Sequence, residues 1–370
     1  MHFPLLVWEQ RKLGEVLLVN SGKDYKNLNK GNIPVYGTGG YMLSVNRALS
    51  NENAIGIGRK GTIDRPQYLI APFWTVDTLF FLTVKNQNDL KFFYALFQKI
   101  NWKKYDESTG LPSLSKSTLN NIFLKNPNYK EQKKIGLLLS QIEVLITLQQ
   151  RKLEQLNLLK KGLLQKIFSD NDFRPNLRFK NFNEKWKQHK LGSIVHWSKG
   201  NHLKKSTLNS KYDGYEVIHY ADLYKFKPVL SKVIHWSRNN TGTIIPANSL
   251  LFPMSDVTPD GLARTTAMMK NGVRAGSDIL IATVKNNNAE FLSYQINLYS
   301  KRIVPLVTGT TIRHINSKAL STLNIKIPTN SEQNIISKLF IFFENFVDLQ
   351  QSKINQLKLL KKFILNNMFI

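Results

Sequence analysis

The stretch LQQRKLEQLNLLKKGLLQKIF at residues 148–168 returns as LQQSKINQLKLLKKFILNNMF at residues 349–369, with twelve of 21 positions identical at a constant offset of 201. Around the first copy an apolar stripe runs Leu139, Ile142, Ile146, Gln149, Leu153, Leu156, Leu163 and Ile167, broken at Lys160. Around the second it runs Phe340, Phe343, Val347, Gln350, Ile354, Leu357, Ile364 and Met368, broken at Lys361. Alternating steps of three and four make a coiled-coil seam on a helix. Neither segment holds a proline, and the one glycine in their later halves, Gly162, costs only about 1 kcal/mol. An amphipathic helix cannot bury its stripe alone, and the nearest partner for each copy is the other. Antiparallel pairing agrees with a pseudo-twofold repeat and brings Gln149 near Gln350, where the two amides either bond across the seam or turn to solvent.

The repeat extends outward from these helices. Glu131-Gln132 returns as Glu332-Gln333 and Pro127 as Pro328, again at 201. WEQRKLG at 8–14 matches WKQHKLG at 186–192 at an offset of 178, so the second half carries 23 additional residues. The chain therefore reads A–B–A′–B′. The inserts at 15–126 and 193–327 share no comparable identity, but both mix β-branched and aromatic residues with Gly and Pro at short intervals, which predicts strands. A short helix is predicted near 90–100. The expected organisation is α+β: a β-rich domain at 1–128, a long helix at 129–170, a connector at 171–186, a second β-rich domain at 187–329 and a second long helix at 330–370.

With 52 Lys+Arg against 25 Asp+Glu the net charge is +27. The excess is spread along the chain and heaviest over 187–329, so it is no detachable basic tail. Such a field attracts a polyanion, nucleic acid above all; the bland reading is a lysine-rich proteome. The absence of cysteine excludes disulfide frameworks and thiolate zinc sites and suits a reducing cytoplasm. The N-terminal MHFPLLVWEQRK is too short and too soon charged for a signal peptide, and charges interrupt the apolar runs near 135–148 and 339–347, so no membrane span is expected.

GIGRKG at 56–61 satisfies G-x-G-x-x-G, but TIDRPQYLIAP follows where a dinucleotide loop must open a helix. A strand-connecting loop offering Arg59 and Lys60 to phosphate fits better, with a plain β-turn as the alternative. No GxxxxGK[ST], Pro-Pro, H-x-x-x-H or Gly-x-Ser-x-Gly string occurs, so the chain reads as one that binds without reacting. The candidate DNA contacts of the first insert are Thr38, Gly39 and Tyr41, with Arg47, Arg59, Lys60 and Arg65. Those of the second are Ser255, Asp256, Thr258, Arg264, Arg274 and Lys285. Arg can take guanine bidentately and Ser, Thr and Asp can read other base edges, while Lys mostly meets phosphate.

This plan resembles the specificity subunit of type I restriction-modification systems. So do WEQRKLGEV, IGRKGTID, APFWTVDTLFFL, TGLPSLSKSTLNNI, EQKKIGLLLSQIEVLI and FRPNLRFKNFNEKWKQHKLG. One departure is local: the connector string before Trp186 has no full counterpart before Trp8, where MHFPLLV stands, which bears on the N-terminal edge of the first domain. The resemblance implies two target recognition domains on a ruler of antiparallel helices, each reading half of a bipartite double-stranded DNA site. It implies a chain with no catalytic residue, metal or cofactor of its own. Two modification subunits would bring S-adenosylmethionine, and two restriction subunits ATP and Mg2+. Unlike inserts imply unlike half-sites. The rival readings are a coiled-coil adaptor with incidental basicity and an RNA-binding module.

Overall fold

The structure, a computed structural model, describes residues 8–169 and 173–369. The stretch 1–7, on which the first domain's edge turns, and the start of the connector at 170–172 lie outside the described residues. The chain divides into two compact units, Met1–Lys152 with Gln350–Ile370, and Leu153–Leu349. Each contains one insert and a stretch of both long helices, which run Tyr129–Ile167 and Asn330–Met368, 39 residues apiece. At 1.5 Å per residue each is about 58 Å long.

The two inserts, unalike in sequence, share one sheet plan. In the first unit Leu17–Ser21, Leu79–Val84, Ala54–Gly58 and Gln67–Leu69 form an antiparallel sheet in that spatial order. In the second unit Val195–Lys199, Ile279–Val284, Ser249–Pro253 and Thr266–Met268 do the same. The third strands of these sheets, AIGIG and SLLFP, are buried at every position, so they need apolar or small residues and little else. A second sheet follows in each unit. Gly40–Val45, Lys30–Gly37 and Trp74–Thr75 form one, with the last pair parallel. Its counterpart orders His235–Ser237, Tyr215–Ile218 and Arg274–Ala275 likewise and adds Thr243–Ile244. The repeated W-x-Q-x-K-L-G frames form the edge pairs Glu9–Lys12 with Phe123–Asn126 and Lys187–Lys190 with Asn324–Ile327.

The duplicated Glu-Gln step ties helix to domain. Gln132 accepts from the Asp89 amide (2.9 Å) and donates to the Pro127 carbonyl (2.9 Å), Asn88 and Asn126. Gln333 repeats this, accepting from the Asn288 amide (2.9 Å) and donating to the Pro328 carbonyl (3.0 Å), Asn287 and Asn330. Asp89 and Asn288 in turn cap the short helices Leu90–Phe97 and Ala289–Leu298, the first of which lies where the sequence predicts one. The frame tryptophans complete the joint. Trp8 packs on Phe92 and Phe369, with ring centroids 5.8 and 6.0 Å away. Trp186 packs on Phe291 and Phe168 at 5.6 and 6.1 Å. Each tryptophan thus meets the terminal phenylalanine of the other half's helix, which is what antiparallel helices require.

Along the seam Leu139, Ile142, Ile146, Phe340 and Ile354 are buried, while Leu153, Leu156, Phe343, Val347 and Leu357 are half-buried. Gln350, buried, donates to the Gln149 side chain at 2.5 Å and to its carbonyl at 3.1 Å; the amides bond and do not turn outward. The gaps at Lys160 and Lys361 are ion pairs. Lys160 meets Glu344 at 2.7 Å in the second unit, and Lys361 meets Glu143 in the first. These pairs are images of each other at the repeat offset of 201. No described helix is long and apolar enough to cross a membrane.

Candidate nucleic-acid interface

In the first unit the loop after the buried strand Ala54–Gly58 carries Arg59, Lys60 and Arg65, all exposed. It folds back so tightly that a Cβ on Gly58 would sit 2.0 Å from the Thr62 carbonyl. The next element is the strand Gln67–Leu69, not a helix, so G-x-G-x-x-G is no dinucleotide fingerprint. The loop is braced by the 112–114 segment: the Gly61 amide donates to the Pro112 carbonyl (2.8 Å) and the Leu114 amide to the Arg59 carbonyl (2.9 Å). Asp106 holds the base of that segment, and the amides of Ser113 and then Ser108, donating to its carboxylate, keep it below the usual carboxylate range.

Thr38 and Gly39 form the tight turn between paired Gly37 and Gly40, where Gly40 has φ +112°. Gln67 ties this turn to the loop by donating to the carbonyls of Gly37 (2.8 Å) and Thr38 (3.2 Å). Tyr41, beside the turn, is 63% exposed. Thr38, Gly39, Arg59 and Lys60 thus share one edge of the unit. Arg47 lies beyond the far end of the strand Gly40–Val45, about 20 Å along it from Tyr41.

In the second unit the same inter-strand loop follows Ser249–Pro253 and carries Ser255, Asp256 and Thr258. Its brace is again a downstream segment: Ser255–Asp256 pairs with Arg313–His314, and the Ile315 amide donates to the Met254 carbonyl at 3.0 Å. Burial pushes the Asp256 carboxylate up, but donors on Tyr224 and Thr258 outweigh it and hold the group below the usual range. Thr258 also caps the helix Pro259–Leu262. Arg264 donates to the Tyr224 carbonyl at 2.9 Å with its guanidinium 5.3 Å from the Tyr224 ring centre. Arg274 donates to the Gly242 carbonyl at 3.3 Å and covers Tyr215 at 5.0 Å. Both are partly buried against their own domain. Lys285 follows the strand Ile279–Val284 at its far end, about 20 Å from the 254–256 loop.

Sequence reasoning missed Arg313 and His314. The His314 ring stands 3.0 Å from the Ser255 hydroxyl, and the Arg313 guanidinium Nε is buried with no hydrogen-bond partner among the described residues. The available signal was the echo of TGLPSL at 109–114 in TGTTIRHI at 308–315.

The profile of the type I restriction modification DNA specificity domain matches residues 7–158 and again 183–359. The chain belongs to that family. Among curated relatives of this specificity subunit, the type I restriction enzyme MjaVIII specificity subunit of Methanocaldococcus jannaschii is 24% identical over 341 residues, covering 86% of this chain and 75% of the relative. The putative type I restriction enzyme MjaX specificity subunit of the same organism is 24% identical over 315 residues, covering 76% and 68%. The crystal structure of a type I restriction-modification S subunit from M. genitalium superposes with a TM-score of 0.73 at 13% identity, covering 100% of this chain and 98% of that one. A chain from a structure on complex assembly and conformational transition of the type I R-M system gives 0.52 at 16% identity, covering 100% and 99%. The protein is a specificity subunit of a type I restriction-modification system, a component of the complex that is not itself an enzyme.

Proposed function

We propose that this specificity subunit reads an asymmetric bipartite double-stranded DNA site, one half with each domain, from the edge formed by the 59–66 loop in one and the 254–264 loop in the other. One observation carries this reading. The two loops occupy the same place in sheets of identical strand order, yet they differ in length and in the sign of their charge: GRKGTIDR has three basic residues and one acidic, MSDVTPDGLAR one basic and two acidic. A repeated scaffold with unlike loops suits two unlike half-sites. Arg59 and Arg65 are suited to guanine edges, with Thr38, Tyr41, Ser255, Asp256 and Thr258 serving other bases. Lys60, Arg47 and Lys285 meet phosphate, and Arg264 and Arg274 position the loops they brace.

The target recognition domains are 1–128 and 187–329, the spacer segments that hold the long helices 129–170 and 330–370, and the connector 171–186. The long helices, each of which contributes residues to both units, would set the spacing of half-sites. Two modification subunits bring S-adenosylmethionine and methylate adenine N6 in each half-site, extruding the base from the stack. Two restriction subunits bring ATP and Mg2+, and the assembly works in the cytoplasm. The test is binding by the reconstituted complex to duplexes altered in one half-site at a time. Arg59→Ala with Lys60→Ala should weaken recognition of one half-site and leave the other unchanged. A change confined to the half-site read through Ser255 and Asp256 would overturn the assignment.

A further inference from the structure

The two units finish the edge of their buried sheets differently. Between the strands Tyr215–Ile218 and His235–Ser237 the second unit takes in residues 219–234, where the first has the tight turn at Thr38 and Gly39. Part of that excursion, 227–230, runs parallel to the edge strand Thr266–Met268. The Ala267 amide donates to the Pro228 carbonyl at 2.7 Å, and the Leu230 amide to the Ala267 carbonyl at 2.9 Å. The Ser293 hydroxyl also donates to the Pro228 carbonyl, at 2.5 Å, and Lys227 pairs with Asp348 of the long helix. In the first unit the equivalent edge strand is Gln67–Leu69, and among the described residues no strand or bridge lies on its outer side. Ile55 stands opposite Tyr68 as Leu250 stands opposite Ala267. The Tyr68 amide and carbonyl therefore point away from the neighbouring strand, as those of Ala267 do. Tyr68 and Tyr94, edge to face at 5.4 Å, replace Ala267 and Ser293, and beside them a cavity of about 560 Å³ stays open. Its walls include Ile70, Val144 and Leu148, which are 66%, 58% and 51% exposed. Its charge is the reverse of that along the covered edge. Thr147 and Lys91 stand in the places of Asp348 and Glu290, Arg151 joins them, and the one acid in the lining, Glu143, is already paired with Lys361.

We infer that this cavity takes an extended segment of a partner polypeptide, laid parallel to Gln67–Leu69 as 227–230 is laid on Thr266–Met268. The segment is apolar at its centre and acidic where Lys227 is basic, to meet Lys91 and Arg151. Strand addition of this kind draws affinity from main-chain bonds and specificity from alternate side chains. A second copy of this chain is a poor donor. Its own 227–230 is held by Ala267 and Ser293, and its Lys225 and Lys227 would face Lys91 and Arg151. The inference is independent of how the domains read DNA.

The test uses the full chain and a fluorescent peptide, YKFKPVLS, copied from residues 224–231 and carrying Lys225→Glu and Lys227→Glu. Saturable one-to-one binding is expected, at least about tenfold tighter than that of the unaltered peptide. Methylating the peptide's Leu230 amide nitrogen, which removes the donor to the Tyr68 carbonyl, should weaken binding by about the same factor. Lys91→Glu with Arg151→Glu, both at exposed positions, should reverse the preference between the acidic and basic peptides. The peptide changes leave the protein untouched, so they decide the matter even if this double variant misfolds. Absence of saturable binding, equal binding of the acidic and basic peptides, or indifference to N-methylation would overturn the inference. Tighter binding of the basic peptide by the unaltered chain would make a second copy the donor and overturn the assignment of the partner.

Discussion

Lys160 and Glu344 offer the sharpest test of how the long helices find their register. A purely apolar seam tolerates a slip of one heptad, which moves a helix by about 10 Å, whereas a paired charge inside the seam does not. At 2.7 Å and an effective dielectric of about 20 the pair gains roughly 6 kcal/mol before desolvation. Most of that is offset by taking both groups from water, since the side chains are only 21% and 7% exposed. A double-mutant cycle with Lys160→Met and Glu344→Gln should therefore give a coupling of about 1–3 kcal/mol, between the surface and buried limits. Its image, Lys361 with Glu143, should give less, because Glu143 is 37% exposed. Arg238–Asp213 is the internal control. It is just as short at 2.7 Å but 80% and 45% exposed, and should give no more than about 0.5 kcal/mol. The assay is hydrogen exchange in urea over 153–167 and 330–349, which reports this unit by itself. A coupling for Lys160–Glu344 no larger than that of the control would refute the reasoning.

Three further outcomes are expected. Gln333→Leu, which strands the Asn288 amide and removes donors to three oxygens, should cost about 2–4 kcal/mol in urea unfolding, with Gln132→Leu comparable; a loss below 0.5 kcal/mol (on the order of a surface change) would show the step to be dispensable. DNA affinity should fall steeply with salt, and Lys60→Ala should reduce the log–log slope by about 0.9, whereas Arg59→Ala should weaken binding and relax the preference for one base; an unchanged slope and affinity would remove that residue from the interface. Asp106 has a folded value below its unfolded one, so its contribution is present above the unfolded carboxylate range and lost as pH falls through the folded value; acid titration should loosen the 106–114 segment in hydrogen exchange before the sheets open, and Asp106→Ala should remove that early step.

The helices, their partnering and the central glutamine pair were legible because a repeat in fixed register leaves a period that can be read along one chain. The shared sheet plan of the inserts was not. Strands such as AIGIG and SLLFP are held by burial on all sides, which constrains size and polarity but not identity, so equal topology left no identities to align. Lys160 and Lys361 looked like interruptions because periodicity shows where a residue points and not what it meets. The bond of Arg178 to Glu332 spans 154 residues and was hidden in a connector legible only as polar and turn-rich. At the candidate site the loops were found, since Gly, Asp and Arg between apolar strands mark exposed turns. The roles of individual arginines were not, because whether Arg264 or Arg274 faces outward depends on carbonyls of Tyr224 and Gly242 brought in by the fold.

The central claim is that one chain joins two unlike reading edges at a fixed spacing. Sequencing the methylated adenines of a host that expresses this subunit with its modification partners tests it most directly. The account predicts a single motif dependent on this chain, with two different specific halves separated by a gap of constant length. Two identical halves, a gap that varies freely, or a methylation pattern indifferent to the chain would contradict it.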